Sequence, residues 1–397
     1  MPYKILITDD SQITRKLLLK ILENKGYELI EAVDGEDAIE TCLNEIPDLM
    51  LLDISMPKKD GYEVCSTIKA DSRTRDIPVI FLSANTDTAD KIRGLELGAV
   101  DYITKPFSKG EVLARVKTQL KIHLLTQSLV RANTQLSERQ KALDEDLQAA
   151  AQIQKSLIPK EVPKTENFSF AWRFMPCEQV GGDIFNIHRL NDAHLSAYVL
   201  DVSGHGVPSA MVTVSVSQTL LPNSGAVLSQ INGASSCHEK IISPGDVLSM
   251  LDREYPMERF NKHFTITYLV LDERTGRVCY SNAAHPMPVM IRADGEIELL
   301  EKGGTIIGMG GAVPFEEGRA DMKHGDRLFL YTDGLAEYEN KGGDLYGRER
   351  FYDDLVRYQD YPLDATCECI IKSLMNHGGG FQPRDDITLL GIEYQQP

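Results

Sequence analysis

The chain has 397 residues, of which 42% are hydrophobic and 25% are charged, and its formal net charge is −17. This composition is typical of soluble globular proteins, and the length predicts two or three domains rather than one. The negative charge argues against nucleic acid and against an anionic membrane as partners, because both are bound through basic residues that neutralise phosphates.

Cysteine usage and hydropathy indicate where the protein works. The seven cysteines form no Cys-x-x-Cys pair and no disulfide pattern, which favours free thiols in a reducing compartment. No apolar run approaches the roughly 18 residues of a membrane span, and the chain enters a strand without the segments of a signal peptide. We therefore expect a cytoplasmic protein.

Residues 1–121 alternate between short apolar runs and amphipathic stretches. Strands separated by helices predict a parallel, doubly wound α/β sheet, whose working site lies beyond the carboxyl ends of the strands. The predicted strands are 3–8, 29–33, 48–53, 78–83 and 100–104, and the predicted helices are 12–25, 35–44, 61–70 and 88–97.

Chemically active residues follow these predicted strands. Asp9 and Asp10 follow the first strand and Asp53 ends the third, so three carboxylates could hold Mg²⁺. Asp53 could then act as a nucleophile and form an aspartyl-phosphate, whose oxygens Ser83 and Lys105 would contact. A Walker B strand also ends in acidic residues, but the sequence has no P-loop to accompany one.

These motifs resemble the receiver domain of two-component response regulators, a flavodoxin-like fold, over the whole of residues 1–121. The resemblance implies a sensor histidine kinase as partner and Asp53 as the phosphoacceptor. It implies Mg²⁺ bound by Asp10, Asp53 and the Ser55 carbonyl, with Asp9 assisting. It also implies that Ser83, Tyr102 and Lys105 report phosphorylation.

Residues 122–159 contain no glycine, and proline appears first at position 159, which predicts a helical linker that continues a helix from about residue 107. Apolar residues recur at spacings of seven, a coiled-coil pattern that favours a parallel homodimer. They are Ile122, Leu129, Leu136, Leu143, Ala150 and Leu157. The alternative is a solvated helix that packs on its own domains. Residues 147–159 are richer in apolar side chains and should dock on the next domain.

Residues 160–397 are rich in predicted strands, and two β-sheets with flanking helices would accommodate them. The predicted strands are 168–174, 195–202, 264–271, 278–282, 289–292, 297–300, 327–332 and 387–393. The predicted helices are 208–220, 246–254, 348–358 and 365–376, with loops at 221–245 and 378–382. The first loop is rich in Ser, Gly and Asn, and we expect it to be mobile.

Four aspartates in this region lie at the ends of apolar runs or in adjoining glycine turns: Asp183, Asp201, Asp333 and Asp385. If the fold brings them together, they need a counter-ion, because like charges raise one another's pKa. Oxygen ligands without a Cys or His cluster favour Mg²⁺ or Mn²⁺ over zinc. The sequence therefore predicts a metal site built from strand ends.

The same motifs resemble PP2C-type metal-dependent serine/threonine phosphatases, and most closely the bacterial SpoIIE/RsbU branch. The motifs are Val180-Gly-Gly-Asp183, Asp201-Val-Ser-Gly-His-Gly206, Asn282-Ala-Ala-His-Pro286, Tyr331-Thr-Asp-Gly334 and Asp385-Asp-Ile-Thr388.

The resemblance implies an α+β sandwich with catalytic aspartates. Two Mn²⁺ or Mg²⁺ ions would be bridged by Asp201 and completed by Asp183, the Val202 carbonyl, Asp333 and Asp385. The stretch Ala151-Gln-Ile-Gln-x-x-Leu-Ile-Pro159 also resembles this branch, which implies a regulatory switch helix there. The resemblance further implies that the substrate is a phosphorylated anti-sigma-factor antagonist.

Two positions depart from the family pattern. Asn186 replaces an aspartate found in many relatives, and Ser203 stands where eukaryotic enzymes have a histidine, so no general acid is assigned. His205 and His285 are candidates, and His285 fits a structural turn better. Two other functions stay open. A PP2C-like adaptor that binds a sigma factor is disfavoured by the intact aspartates, and a DNA-binding regulator lacks a helix-turn-helix and a basic face.

Overall fold

The structure, a computed structural model, describes residues 2–84, 88–159, 161–177, 179–233 and 236–395. The chain divides into two compact units, residues 1–140 and 141–397. One helix, α5, begins in the first unit and ends in the second. Among the described residues, no helix is both long enough and apolar enough to cross a membrane.

Five parallel strands form the sheet of the first unit, in the order β2-β1-β3-β4-β5. Apolar clusters cover both faces, one around Leu52 and Phe81 and the other around Ile7 and Leu51. The strands are β1 (Tyr3–Thr8), β2 (Tyr27–Ala32), β3 (Leu49–Asp53), β4 (Val79–Ser83) and β5 (Asp101–Thr104). The predicted parallel, doubly wound sheet is confirmed.

The helices of this unit connect successive strands: α1 (Gln12–Leu22), α2 (Gly35–Glu45), α3 (Gly61–Ala70), α4 (Thr88–Glu96) and the start of α5 (Lys109–Leu157). Helix α1 ends three residues before the predicted position 25, because Asn24 adopts a φ of 60° and Gly26 a φ of 81°. The freed residues allow β2 to begin at Tyr27, two residues earlier than predicted.

Helix α5 runs for 49 residues without interruption. Its first turns pack into the core of the first unit through Val112, Val116 and Leu120, and its last turns pack into the second unit. The heptad positions between these anchors, Ile122, Leu129, Leu136 and Leu143, are 51%, 71%, 66% and 54% exposed. The apolar seam is thus open over residues 122–143.

Two sheets pack face to face in the second unit, and helices cover both outer faces. One sheet has the order β15-β12-β11-β8-β7 with β16 beside β12, and the other has the order β14-β13-β17-β18-β6. An apolar cluster around Val199, Leu269 and Leu330 fills the space between the sheets. Helices α6 and α7 cover the first sheet, and α10 and α11 cover the second. The predicted sandwich with flanking helices is confirmed.

The strands of the second unit are β6 (Phe168–Met175), β7 (Asp183–Arg189), β8 (His194–Val202), β9 (Leu228–Gly233), β10 (Ser236–Ile241), β11 (Phe264–Asp272), β12 (Arg277–Ala283), β13 (Val289–Ile291), β14 (Ile297–Leu299), β15 (Gly303–Gly304), β16 (Gly318–Asp321), β17 (Arg327–Tyr331) and β18 (Ile387–Tyr394). The helices are α6 (Val207–Thr219), α7 (Pro244–Glu254), α8 (Met257–Phe260), α9 (Asp333–Ala336), α10 (Gly347–Arg357) and α11 (Leu363–Gly378).

Residues 234–235 lie outside the described residues, and the expected mobility of the 221–245 segment stays a prediction. The prediction that this segment is a loop is wrong for much of its described part. It contains a short 3₁₀ helix at Pro222–Ser224 and an antiparallel pair of strands, β9 and β10. Backbone pairing with a continuous register outweighs the low strand propensity of Ser, Gly and Asn. Strand β7 was not predicted either, and it pairs along its whole length with β8.

Candidate functional site

The carboxyl ends of β1 and β3 bring three acidic side chains together in the first unit. Asp9, Asp10 and Asp53 each offer an oxygen, and these oxygens lie within 4.8 Å of one another. Lys105 places its Nζ 2.7 Å from Asp9 Oδ2 and 2.9 Å from Asp53 Oδ1. Burial raises the pKa of Asp53, and the hydrogen bond from Lys105 opposes that rise. Carboxylate oxygens at this spacing fit Mg²⁺.

The other predicted residues of the first unit lie at the same edge of the sheet. Ser83 ends β4, and its carbonyl oxygen accepts the backbone N–H of Lys105 at 2.7 Å. Ser83 and Tyr102 line one recess. Ser55 is exposed in the loop after β3, and the Lys105–Pro106 peptide bond is cis. The strand ends therefore gather these predicted residues in one place.

Strands β7 and β8 place Asp183 directly opposite Asp201 in the second unit. The Asp183 carboxylate is buried, and its Oδ2 accepts hydrogen bonds from Thr332 Oγ1 at 2.8 Å and from Thr388 Oγ1 at 2.6 Å. These two threonines come from the neighbouring sheet, at the end of β17 and the start of β18. The two sheets thus meet around Asp183.

The Asp183–Asp201 pair has unusual electrostatics. Burial, reinforced by the charges of Asp201 and Asp386, holds the pKa of Asp183 well above its ordinary value. Burial and the charges of Asp333 and Asp385 raise the pKa of Asp201 to about 7. A bound cation would stabilise the charged forms of both carboxylates and so lower both pKa values.

Gly182 allows three oxygens to lie close to the backbone beside this pair. A side-chain Cβ on Gly182 would lie 2.6 Å from the Val202 carbonyl oxygen, 3.1 Å from that of Gly204 and 3.4 Å from Asp201 Oδ1. Three oxygens therefore converge on a position that only glycine leaves open. This is the hard-oxygen donor set that Mg²⁺ and Mn²⁺ prefer, and the residues present fit the predicted metals.

The remaining two predicted aspartates flank this pair. Asp333 begins α9, and its buried Oδ1 has no hydrogen-bond partner within the described part of the chain. Asp385 is exposed just before β18. Within the described ranges, no three carboxylates of the second unit lie within 4.8 Å of one another.

Sequence reasoning missed the part that Asp386 plays. Its Oδ1 accepts the Cys177 N–H at 2.8 Å, and its Oδ2 accepts the N–H groups of Gly182 and Asp183 at 2.7 and 3.2 Å. Asp386 therefore holds the loop that presents Asp183. The signal in the sequence was its position beside Asp385. Only the tertiary structure shows that Asp386 accepts hydrogen bonds from the backbone of this loop, whereas Asp385 stays a candidate metal ligand.

Gln154 of α5 holds the same loop from the other side. Its buried side chain donates from Nε2 to the Gly181 carbonyl oxygen at 2.7 Å and accepts the Gly181 N–H at Oε1 at 3.0 Å. Ala151 packs beside it against Val180 and Ala210. The last turns of α5 are thus connected directly to the backbone that precedes Asp183.

The departures from the family pattern have structural roles. Asn186 donates to the carbonyl oxygen of Leu157, the last residue of α5, at 2.9 Å. Ser203 Oγ accepts the backbone N–H of His263 at 3.3 Å.

Burial lowers the pKa of the candidate acid His285 to about 3, so its ring is neutral at pH 7. The Asn282 side chain holds the His285 backbone through two hydrogen bonds. His205 is exposed, and its charge acts on nearby Asp385.

Comparison with known proteins places these features in families. Residues 5–117 match the response regulator receiver domain, and residues 191–395 match stage II sporulation protein E (SpoIIE). The fold and its acidic strand ends define a response regulator with a PP2C-type phosphatase domain. The chain belongs to the SpoIIE family.

Two solved structures resemble the second unit. The SiaA-PP2C domain of Pseudomonas aeruginosa is 21% identical, with a TM-score of 0.54, over 65% of this chain and 99% of that one. The RsbU and RsbW domains of a Mycobacterium tuberculosis protein are 24% identical, with a TM-score of 0.51, over 61% of this chain and 64% of that one. At these identities the likeness establishes the fold.

Curated relatives match the receiver end. A probable transcriptional regulator of Guillardia theta is 37% identical over 203 residues, which cover 47% of this chain and 79% of the relative. The chain spans about half the length of two further relatives with the same description.

Proposed function

We propose that phosphorylation of Asp53 controls a metal-dependent protein serine/threonine phosphatase in the second unit of this response regulator. Its substrate would be a phosphorylated anti-sigma-factor antagonist. Dephosphorylation of the antagonist would control a sigma factor through partner switching. The observation that carries the proposal is the Asp183–Asp201 pair, which lies beside converging carbonyl oxygens and has raised pKa values. An acidic cluster of this kind suits divalent cations, and the cations would in turn attract the phosphoryl group of a substrate.

The roles of the residues follow from their positions. Asp201 would bridge two Mn²⁺ or Mg²⁺ ions, and Asp183, Asp333, Asp385 and the Val202 carbonyl would complete their shells. The ions would supply a nucleophilic water that ionises near neutral pH, and they would stabilise the phosphoryl oxygens. Thr332 and Thr388 orient the Asp183 carboxylate by donating to its Oδ2.

The receiver would take its phosphoryl group from a sensor histidine kinase. Asp9, Asp10, Asp53 and the Ser55 carbonyl would hold Mg²⁺, and Lys105 would move from the Asp53 carboxylate to the new phosphoryl oxygens. Ser83 would contact the same oxygens, and Tyr102, which shares its recess, would change position with it.

Helix α5 provides a covalent route between the two sites. It leaves the receiver core at Leu120, and its far end carries Gln154, which holds Gly181 two residues before Asp183. A shift or rotation of α5 would therefore move the loop that presents a catalytic carboxylate. The open seam over residues 122–143 supports a homodimer in which two such helices pair.

The test is hydrolysis of a generic phosphate ester with Mn²⁺, with and without a small phosphodonor. Wild type, Asp201→Asn and Asp53→Ala are compared. We expect activity that disappears in Asp201→Asn and that responds to the phosphodonor only when Asp53 is present. A purified antagonist, phosphorylated on serine, then tests the substrate directly.

Other results would contradict parts of the proposal. Activity that ignores the phosphodonor would leave the phosphatase and remove the switch. No hydrolysis under any condition, together with a melting temperature that does not respond to Mn²⁺, would favour an adaptor that binds a sigma factor or another regulatory protein.

A further inference from the structure

Lys262 brings a positive charge to the loop that follows Asp201. Its Nζ donates to the Ser203 carbonyl oxygen at 2.6 Å. It also lies 3.0 Å from the position that a Cβ on Gly204 would take. Gly204 contributes one of the carbonyl oxygens that converge beside Gly182. The ammonium group therefore lies beside the oxygen set that fits a metal ion.

The backbone fixes this position. Lys262 lies between α8 and β11, and β11 pairs Phe264 with Val202 of β8. The Ser203 N–H donates to the His263 carbonyl oxygen at 2.9 Å, and the His263 N–H donates to Ser203 Oγ at 3.3 Å. The backbone of Lys262 is therefore held beside the 201–204 loop by His263, the next residue in the chain.

Lys262 has no ion-pair partner among the residues that the structure describes. Within the described part of the chain, no carboxylate lies within ion-pair distance of its Nζ, and a single carbonyl oxygen accepts from it. An ammonium group has three donors, so two remain for a ligand. By contrast, Arg384, which is also close to the site, is paired with Glu339 at 2.8 Å.

The balance of charge indicates which ligand these donors suit. The carboxylates of Asp183, Asp201, Asp333 and Asp385 offset the charge of two divalent ions. A phosphomonoester dianion would therefore enter a site that is close to neutral, and a neighbouring cation would attract it. Charge-assisted hydrogen bonds from an ammonium group to phosphoryl oxygens are strong interactions of this kind.

We propose that Lys262 binds the phosphoryl oxygens of the phosphomonoester substrate. The inference rests on the proposed phosphatase function and names the residue that recognises the group to be hydrolysed. One N–H of the ammonium group keeps its hydrogen bond to the Ser203 carbonyl oxygen. The other two N–H groups donate hydrogen bonds to the phosphoryl oxygens.

The experiment compares wild type with Lys262→Gln, Lys262→Arg and Lys372→Gln. Lys372 is an exposed lysine of α11 that pairs with Glu368, so its variant controls for the loss of a positive charge. Calorimetric titrations of the intact protein measure Mn²⁺ affinity, and then the affinity of the metal-loaded protein for inorganic phosphate. Hydrolysis of para-nitrophenyl phosphate supplies KM and kcat.

We expect Lys262→Gln to weaken phosphate binding by roughly 10–100-fold, the loss typical of a hydrogen bond from a charged donor. Its Mn²⁺ affinity should equal that of wild type. Lys262→Arg should recover most of the phosphate affinity, and Lys372→Gln should behave as wild type. In the kinetic assay the loss should appear in kcat/KM with a raised KM.

Two results would overturn the inference. Unchanged phosphate affinity in Lys262→Gln would show that the ammonium group does not contact the anion. A parallel loss of Mn²⁺ and phosphate affinity would show that Lys262 only holds the 201–204 loop. If wild type binds phosphate through Lys262 but hydrolyses no ester, the inference stands and the proposed phosphatase function fails.

Discussion

At the scale of single residues, the raised pKa of Asp201 should make the stability of the second unit depend on pH. Its pKa in the folded state, about 7, lies above the value of about 4 expected in the unfolded chain. The folded state therefore holds its proton more tightly than the unfolded state does. The resulting loss of stability is absent below about pH 4, grows as the pH rises, and is complete above about pH 7. A bound divalent ion would remove it.

We expect Asp201→Asn to stabilise the metal-free protein by on the order of 4 kcal/mol at pH 8 and by less at pH 5, because the variant has no carboxylate to ionise. Thermal and denaturant unfolding in the presence of a chelator measures the difference. Mn²⁺ should then raise the melting temperature of wild type and leave that of Asp201→Asn unchanged.

Asp353→Asn is the matched control, because Asp353 is an exposed residue of α10 in the same unit. It should match wild type at both pH values and respond to Mn²⁺ in the same way. Equal stability of wild type and Asp201→Asn at pH 8 would contradict the electrostatic account of the pair.

At the scale of elements, the end of α5 acts on the site through Gln154. The two hydrogen bonds that it makes with Gly181 are buried, so their loss leaves an unpaired backbone N–H and C=O in the loop that presents Asp183. Such groups cost about 1–3 kcal/mol each. We expect Gln154→Ala to loosen the loop and to lower Mn²⁺ affinity and ester hydrolysis by roughly 10–100-fold.

Gln152→Ala provides the comparison, since Gln152 lies in the same helical turn and is exposed. It should leave metal affinity and hydrolysis unchanged. Circular dichroism checks that both variants keep their helices. Wild-type metal affinity in Gln154→Ala would show that α5 does not position the loop.

Elements with a strong apolar pattern were predictable, and those that depend on pairing were not. The run that forms β8 is mostly apolar, and its predicted bounds differ from the observed ones by one residue. Strand β7 begins at Asp183, directly after two glycines, and its register comes from β8 rather than from its own composition. The β9–β10 pair likewise depends on backbone pairing across a segment rich in turn-forming residues.

The candidate site shows the same division. The aspartates could be found from the sequence, because an acidic residue at the end of an apolar run has a local signature. Gln154, Asp386 and Lys262 could not, since each acts on backbone groups that are distant in sequence. The sequence shows which residues can carry charge. The tertiary structure shows that one of these carboxylates, Asp386, is used to hold a loop.

At the scale of the whole molecule, the open seam of α5 should control oligomeric state. We expect wild type to be a dimer and the double variant Leu129→Glu, Leu136→Glu to be a monomer, because it places like charges in the predicted coiled-coil interface. Sedimentation equilibrium measures the mass. Ser137→Glu adds an exposed charge away from the seam and should remain dimeric. A monomeric wild type would favour the solvated-helix alternative.

Continuity of α5 should decide whether the receiver controls the phosphatase. Gln135 is exposed, and it lies between the turns of α5 that pack in the receiver and those that pack in the phosphatase unit. Proline at this position breaks the helical hydrogen bonding at a cost of about 3 kcal/mol without entering either core. We therefore expect Gln135→Pro to keep Asp53 phosphorylation and basal ester hydrolysis but to lose the effect of phosphodonor on hydrolysis. Gln135→Ala, which preserves the helix, should keep all three. A phosphodonor response that survives in Gln135→Pro would mean that the signal reaches the loop that presents Asp183 by a path other than the helix.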